Sequence, residues 1–151
     1  MITPPISLKG RALRLLNGRE HSRAELVRKL VAHEDEPGAL ARALDELQAK
    51  DFINEQRVID SVLHRRSPKL GTQRLRQELQ AKGLEPEAVA KALTQLRTTE
   101  VARAREVWRK KFGGAPIDGA DRTKQMRFLA TRGFAGDAIR KVVSGGSDEE
   151  V

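Results

Sequence analysis

Residues 75–84, "LRQELQAKGL", have a counterpart in residues 126–134, "MRFLATRGF". Each stretch places a leucine three residues before a basic residue, which is followed by glycine and a large apolar side chain. The matching positions, 50 apart, are Leu79 and Leu129, Lys82 and Arg132, Gly83 and Gly133, and Leu84 and Phe134. A fixed period that keeps the apolar positions and varies the surface is typical of tandem packing units.

The same apolar pattern occurs once more, 49 positions earlier in the chain. The pairs are Leu26 and Leu75, Leu30 and Leu79, Leu40 and Val89, Leu44 and Leu93, and Leu47 and Leu96. Amphipathic helices share a 3.6-residue period, so chance produces some matches, but the repeated basic–Gly–apolar step favours true repeats. The sequence therefore predicts an all-α fold: an elongated tandem array of about three three-helix repeats, the last truncated.

Local signals agree with helices. Ser22 and Glu25 have the spacing of a capping box, and Gly83 can adopt the left-handed geometry that ends a helix. Asn54 and Thr99 are the expected caps of two further helices. Strand signals are weak, because the chain has no Tyr and few aromatic residues.

The expected division follows from these signals and from the Gly- and Pro-rich stretch "GGAPIDGA". It comprises an N-terminal extension (1–7), repeat 1 (8–66), repeat 2 (67–112), a linker (113–120), repeat 3 (121–143) and a disordered acidic tail (144–151). Repeat 1 would end with a helix over 54–64 and repeat 2 with one over 99–112. The linker is expected to let the third repeat adjust its angle.

Composition limits the functional classes. The 151 residues include no Cys, which excludes disulfides, a thiolate nucleophile and a Cys-based zinc site. No apolar run reaches the ~18 residues of a membrane span, and "MITPPISLKG" lacks the apolar core of a secretory signal. We therefore expect a cytoplasmic protein with no membrane contact. A net charge of +8 favours partners with a negative field, such as nucleic acid or an acidic protein surface.

Catalytic and cofactor patterns are missing from the sequence. His21, His33 and His64 lack metal-ligand spacing, no Walker pattern occurs, and the acidic run 34–36 fits a solvated turn better than a cation site. The sequence predicts a non-enzyme without a cofactor.

Two clusters of basic residues, at 57–82 and 103–132, form either a solvated surface or a contact face. The candidates for contact with an anionic partner are Arg57, Arg65, Arg66, Lys69, Arg74, Arg76, Lys82, Arg103, Arg105, Arg109, Lys110, Lys111, Arg122, Lys124, Arg127 and Arg132. They suit DNA phosphates and protein carboxylates equally well. Few aromatic residues interleave with them, which argues against a base-stacking single-strand binder. Trp108 is expected in the core, and packing is the favoured interpretation of Phe128.

Four stretches taken in order resemble the RecX family of regulatory proteins: "REHSRAELVRKL", "LDELQAKDFI", "GTQRLRQELQAKGL" and "KQMRFLATRGF". The resemblance covers roughly residues 8–143. The first stretch alone is weak, because helix-turn-helix proteins share its Ser-x-x-Glu-Leu start. Phe52-Ile53 stands where the family commonly has Tyr-Leu, and Val58-Ile59 where it often has Phe-Ala, but both keep apolar bulk.

The resemblance implies a non-enzymatic modulator of the RecA recombinase, acting in DNA repair, recombination and the SOS response. Such proteins bind along the groove of the RecA–DNA filament and inhibit strand exchange, ATP hydrolysis and co-protease action. Weaker, non-specific binding to single- and double-stranded DNA and a monomeric state are also expected. On this basis the candidate cations would contact RecA or DNA, mainly from repeats 2 and 3.

Two binding functions remain as alternatives. A sequence-specific helix-turn-helix DNA-binding regulator would need base-reading side chains on one recognition helix, and a helical scaffold would bind protein alone. An enzyme comes last, for want of a catalytic constellation.

Overall fold

Within residues 5–144, which the computed structural model describes, the chain forms nine α-helices, two short 3₁₀ turns and no β-strand. The helices are α1 (Leu8–Gly18), α2 (Arg23–Leu30), α3 (Ala39–Ala49), α4 (Glu55–Arg66), α5 (Thr72–Ala81), α6 (Pro86–Leu96), α7 (Glu100–Phe112), α8 (Gly119–Thr131) and α9 (Gly136–Val143). The all-helical prediction is confirmed. No helix in this part of the chain is long and apolar enough to cross a membrane. The acidic tail falls, apart from Ser144, outside the described residues.

Three separate apolar cores lie along the chain, one for each group of three helices. Leu26 and Leu47 are fully buried in the first, Leu75 and Leu93 in the second, and Leu129 in the third. These are positions that the sequence repeat paired, so each repeat buries the same face of its helices.

The helix α4 packs in the second core, where Val58, Ile59 and Val62 meet Leu75 and Leu79. The cores thus group the helices as α1–α3, α4–α6 and α7–α9, and each repeat has three helices. The sequence-based division instead placed α4 at the end of repeat 1 and α7 at the end of repeat 2. The difference arises because a repeat's period fixes its length but not the point at which each copy begins.

Helix starts follow the predicted caps with one exception. The Ser22 hydroxyl accepts from the Glu25 N–H at 3.1 Å, and the Glu25 carboxylate accepts from the Ser22 N–H at 3.0 Å. The Asn54 side chain caps α4 by accepting a backbone N–H three residues on at 3.0 Å. Thr99 is the exception, because its hydroxyl donates to the Leu96 carbonyl at 3.0 Å instead. It ends a 3₁₀ turn with ψ near 2°, not in the extended backbone that a capping residue adopts.

The stretch 113–120 joins α7 to α8 within the third core. Buried Gln125 accepts from the Trp108 indole N–H at 2.7 Å and donates to the Gly114 carbonyl at 3.3 Å. Asp118 caps α8 by accepting from the Asp121 N–H at 2.8 Å. The connections between repeats lie elsewhere, at 50–54 and 97–99. A bend at 113–120 would therefore act inside the third repeat.

The end of α8 meets the start of α5, and this contact joins the second and third repeats. The Gly71 N–H donates to the Arg132 carbonyl at 2.8 Å, and the Gln73 N–H donates to the Gly133 carbonyl at 3.1 Å. Between them, the Thr72 N–H donates to a carboxylate oxygen of Glu100 at 2.8 Å. The first N–H groups of a helix have no partner within the helix, so the third repeat supplies the partners that α5 lacks.

The end of α5 meets the start of α2 in the same way, which joins the first and second repeats. The Ser22 hydroxyl donates to the Lys82 carbonyl, which occupies the position of Arg132 in the sequence repeat. Gly83 follows with φ of 70°, and a Cβ there would lie 2.6 Å from the Ala24 Cβ. The same type of contact therefore joins α8 to α5 and α5 to α2. These are the middle helices of the three repeats, and they lie end to end in reverse chain order.

Candidate functional site: a basic pocket between the second and third repeats

Some of the predicted contact residues are engaged in stabilising the fold. Arg57 donates to Glu20 at 2.9 Å and to Asp51 at 2.8 Å. Arg66 forms a two-pronged pair with Glu78, both bonds being 3.0 Å. The hydrogen bond from each guanidinium to its glutamate raises the pKa of Arg57 and of Arg66 above the ordinary value. These arginines are already paired with carboxylates, so they are poor candidates for contact with a partner.

Lys82 belongs to an ionic cluster at the contact between repeats 1 and 2. Its ammonium lies 3.3 Å from a carboxylate oxygen of Glu25, which also accepts from Arg19 at 2.7 Å. Burial alone would raise the pKa of Glu25, but the hydrogen bonds from Arg19 and the Ser22 N–H, with the charge of Lys82, outweigh it. The pKa falls to about 2, so Glu25 is ionised at neutral pH.

Arg103 has a structural role that sequence reasoning missed. Its guanidinium donates to the carbonyls of Ser67 at 2.9 Å, Leu70, and Leu96 at 3.3 Å. Burial lowers the pKa of Arg103, although the nearby Glu100 carboxylate acts in the opposite direction. These bonds fix the loop between α4 and α5 against α7. Only its basic character was visible in the sequence, because its acceptors lie up to 36 residues away.

The structure brings cations from separate parts of the chain together around one cavity of about 280 Å³, here called the basic pocket. It is lined by Pro68, Lys69, Glu106, Val107, Lys110, Lys111, Phe128 and Arg132. Lys69 comes from the α4–α5 loop, the two adjacent lysines from the end of α7, and Arg132 from the end of α8. The pocket therefore exists only when repeats 2 and 3 are joined.

Phe128 forms part of the floor of the basic pocket and packs on α7, as the favoured interpretation expected. Its ring meets Phe112 edge to face, with centroids 5.4 Å apart. The Lys111 ammonium lies 5.5 Å and the Arg132 guanidinium carbon 4.8 Å from the Phe128 centroid. Both distances are typical of cation–π contacts, which hold the two cations at the pocket.

The acidic residue in the basic pocket, Glu106, is already paired on its own helix. It lies 3.3 Å from Arg109 and 3.9 Å from Lys110. Within residues 5–144, no ion pair involves Lys69, Lys111 or Arg132. The pocket thus has a positive charge that the described fold does not neutralise.

The remaining candidates are spread over the surface of repeats 2 and 3. Those in exposed positions without an ion pair among the described residues are Arg65, Arg122, Lys124 and Arg127. Arg74 donates to the Thr131 carbonyl at 3.3 Å and so supports the α8–α5 contact. Arg105 is partly buried on α7.

A second cation-lined cavity, of about 270 Å³, combines the half-buried Arg76 with Arg97. Sequence reasoning missed Arg97, because it stands alone after the apolar face of α6. Glu100 and Asp137 line the same cavity, so its charges balance, in contrast to those of the basic pocket.

These observations define a class, a tandem three-helix repeat protein with a basic pocket at a repeat junction. The comparisons agree with this class and supply the family. Models of the first, second and third three-helix domains of RecX match residues 9–47, 54–93 and 98–143. These ranges coincide with the grouping of the helices into three cores. The chain belongs to the RecX family.

Several relatives named regulatory protein RecX match nearly the whole chain. The protein from Leptothrix cholodnii is 50% identical over 140 residues, covering 93% of this chain and 89% of the relative. The Ralstonia nicotianae protein is 43% identical over 141 residues, with the same coverage of 93% and 89%. The Pseudomonas syringae protein is 36% identical over 152 residues, covering 99% and 98%.

Two crystal structures share the fold. One, titled regulatory protein RecX, has a TM-score of 0.76 at 20% identity and covers 91% of this chain and 71% of that one. The other, RecX from Lactobacillus salivarius, has a TM-score of 0.73 at 19% identity and covers 91% and 92%.

Proposed function

We propose that this chain is a non-enzymatic regulator that binds the RecA–DNA filament and inhibits its recombinase, ATPase and co-protease activities. Family membership supports the regulatory role, since the relatives carry the name regulatory protein. The observation that carries the proposal is the convergence on the basic pocket of Lys69, Lys111 and Arg132, which have no ion pair among the described residues. An array of joined repeats also presents an extended surface suited to a groove.

The exposed cations of repeats 2 and 3 support the proposal that most of the contact is made there. Within repeat 2, Arg57 and Lys82 are paired with carboxylates, whereas Arg65 and Lys69, like Arg127 of repeat 3, are exposed without an ion pair among the described residues. Exposed cations attract phosphates without reading sequence. Binding to single- and double-stranded DNA should accordingly be weaker than filament binding and non-specific. The chain would act as a monomer in the cytoplasm.

The decisive experiment is single-stranded-DNA-dependent ATP hydrolysis by the cognate RecA, with this protein titrated at substoichiometric ratios. The rate should fall at few copies per filament, which would indicate filament capping or destabilisation. An unchanged rate at saturating protein and low salt would contradict the proposal and favour a DNA-binding regulator.

The alternative, a sequence-specific helix-turn-helix regulator, lacks a recognition helix rich in base-reading side chains. The third helices of the first two repeats, α3 and α6, contain Arg42 and Lys91 as their basic residues. Protein–DNA readout in the major groove concentrates such side chains on one helix. A footprint on one defined duplex would nevertheless establish this function.

A further inference from the structure

We propose that the basic pocket binds a short acidic segment of a partner protein, with one large apolar side chain inserted between the segment's carboxylates. The inference rests on the proposed function, because it names the chemistry of the partner at the same pocket.

The walls of the basic pocket are held in place by contacts within the fold. Arg103 holds the wall formed by Pro68 and Lys69 through its bonds to the flanking carbonyls of Ser67 and Leu70. The opposite wall is α7, whose Val107 packs against the third core. A ligand therefore meets a preformed cavity rather than a surface that must first be ordered, which lowers the entropic cost of binding.

The floor and the rim differ in chemistry. Pro68, Val107 and Phe128 provide an apolar floor, and around it Lys69, Lys111 and Arg132 carry charge that no ion pair within residues 5–144 neutralises. Pockets for whole small molecules range over about 300–1,000 Å³. At about 280 Å³, this cavity suits one large side chain and its immediate neighbours. A peptide segment with one apolar side chain between carboxylates would place the apolar group on the floor and the carboxylates against the cations.

Arg132 remains able to bind a carboxylate in this arrangement. Its guanidinium carbon lies 4.8 Å from the Phe128 centroid, within the range of a cation–π contact. A guanidinium has five N–H donors, so one in such a contact can still form a two-pronged bond with a carboxylate. Lys111 contributes a point charge from the other helix, so two acidic residues of one segment can be bound together.

A nucleic-acid strand fits the pocket less well. Single-strand binders stack bases on the open faces of aromatic rings, but Lys111 and Arg132 lie over the Phe128 ring, which leaves part of it to line the pocket and no open face for a base. The backbone of a duplex offers phosphates but no apolar group for the floor around Val107. Charge complementarity together with the apolar floor therefore favours an acidic peptide segment.

Fluorescence anisotropy with the full chain tests the inference. The probe is a fluorescein-labelled peptide, Ser-Asp-Glu-Leu-Glu-Asp-Ser, and its control replaces the leucine with serine. The triple variant K69Q/K111Q/R132Q should weaken probe binding about tenfold or more. The matched variant R122Q/K124Q/R127Q loses the same charge outside the pocket and should weaken probe binding by less than about twofold. The control peptide should bind the wild type about fivefold more weakly, because it cannot fill the apolar floor.

Several outcomes would overturn the inference. Equal losses in the two triple variants, or equal affinity for both peptides, would leave only general electrostatic attraction. No probe binding by the wild type up to about 1 mM would remove the site. A labelled 20-nucleotide oligothymidylate that loses affinity only in the pocket variant, with peptide binding unchanged, would assign the pocket to nucleic acid. Circular dichroism verifies that each variant is folded. The single variant K69Q, at an exposed loop position, should still lower the affinity for the probe peptide measurably.

Failure of this inference differs from failure of the proposed function. Wild-type protein that inhibits RecA ATP hydrolysis but does not bind the peptide would retain the regulatory function without this pocket contact. Protein that binds the peptide but leaves ATP hydrolysis unchanged would retain the docking site and lose the RecA assignment.

Discussion

Glu25 links the first two repeats through charge as well as hydrogen bonds. Its carboxylate accepts from Arg19 and from the Ser22 N–H, and it lies 3.3 Å from the Lys82 ammonium of repeat 2. The side chain is 8% exposed. Protonation would weaken all of these contacts at once, so stability should depend on its ionisation.

The pKa of Glu25, lowered from 4.5 to about 2, predicts loss of stability in acid. A carboxyl with a lowered folded-state pKa contributes its stability above the unfolded value and loses it as the pH falls through the folded value. The contribution should be about 2 kcal/mol, less than the shift alone implies because solvent screens the exposed Arg19. Urea unfolding at pH 7, 4 and 2.5 should show a smaller acid-dependent loss in Glu25→Gln than in the wild type.

Glu46→Gln is the matched control for that measurement. Glu46 is 59% exposed and pairs with Lys9 at 3.4 Å, so its removal should leave the acid dependence as in the wild type. Identical pH profiles for all three proteins would contradict the role assigned to Glu25.

Gly133 is a second position where one residue controls the contact between repeats. It has φ of 89°, and a Cβ there would lie 2.3 Å from the Arg74 Cβ and 2.5 Å from the Arg74 backbone nitrogen. Gly133→Ala should therefore lower the free energy of unfolding by about 3 kcal/mol or more, through backbone strain and a steric clash. Chemical denaturation measures the loss.

Gly113→Ala separates the two causes. Gly113 has φ of 75°, and a Cβ there would meet no atom within 4 Å. Its substitution should cost only the strain of left-handed backbone, about 1 kcal/mol. Equal losses at Gly113 and Gly133 would mean that the close approach of α8 to α5 contributes nothing.

At the scale of the element, the loop between α4 and α5 depends on a helix of the next repeat. Arg103→Met keeps most of the side-chain volume but removes the donors to the carbonyls of Ser67, Leu70 and Leu96. The Leu96 carbonyl keeps the Thr99 hydroxyl as a donor, but leaving the Ser67 and Leu70 carbonyls unsatisfied should cost about 2–3 kcal/mol. Hydrogen exchange should show faster exchange at the start of α5, and denaturation should report the stability loss.

Arg109→Met, at a 60% exposed position, should change stability by less than about 0.5 kcal/mol. Similar stability losses in both variants would argue against the role of Arg103 in holding the α4–α5 loop.

Helix starts were predictable from sequence where the signal was local. Ser22 with Glu25, and Asn54, act on N–H groups within three residues of themselves. Gly71 was not predictable as a joint residue, because its role depends on Gly133, whose backbone a Cβ on Gly71 would approach to 2.3 Å. The residue at which each repeat begins was also not predictable. Apolar spacing gives the period but does not show which core α4 joins.

The basic pocket illustrates the same limit for the candidate site. The basic stretches that contribute Lys69, Lys111 and Arg132 were evident in the sequence, but their meeting at one cavity was not. Charge alone also could not separate Arg103, which donates to backbone carbonyls, from Arg127, which is exposed. Sequence supplied the charge of the candidate site, and tertiary packing supplied its shape.

For the whole molecule, charge reversal in repeats 2 and 3 should weaken filament binding more than reversal in repeat 1. The triple variant R76E/R109E/K110E should reduce inhibition of RecA ATP hydrolysis about tenfold, and its apparent affinity should lose part of its salt dependence. Arg74 is left unchanged, because it donates to the Thr131 carbonyl at the α8–α5 contact.

The control R14E/R42E/K50E changes the same charge on exposed positions of the first repeat and the turn that follows it. It should retain inhibition within about twofold of the wild type. If both variants lose inhibition equally, net charge rather than its placement governs binding.

The end-to-end contact between middle helices has a consequence for assembly. It needs a donor at the start of one helix, supplied by Ser22 or Gly71, and a left-handed glycine at the end of the next. The start of α8 is capped by its own Asp118 carboxylate, which accepts from the Asp121 N–H at 2.8 Å. The end of α2 runs into a 3₁₀ turn at Val31–His33, without such a glycine.

The column of middle helices therefore cannot continue from α2 into another copy by this contact, because the α2 end lacks the glycine. Under the proposed function, each chain would then offer a periodic partner one set of three repeats. Higher occupancy of that partner would come from more molecules bound side by side rather than from extension of the column of middle helices.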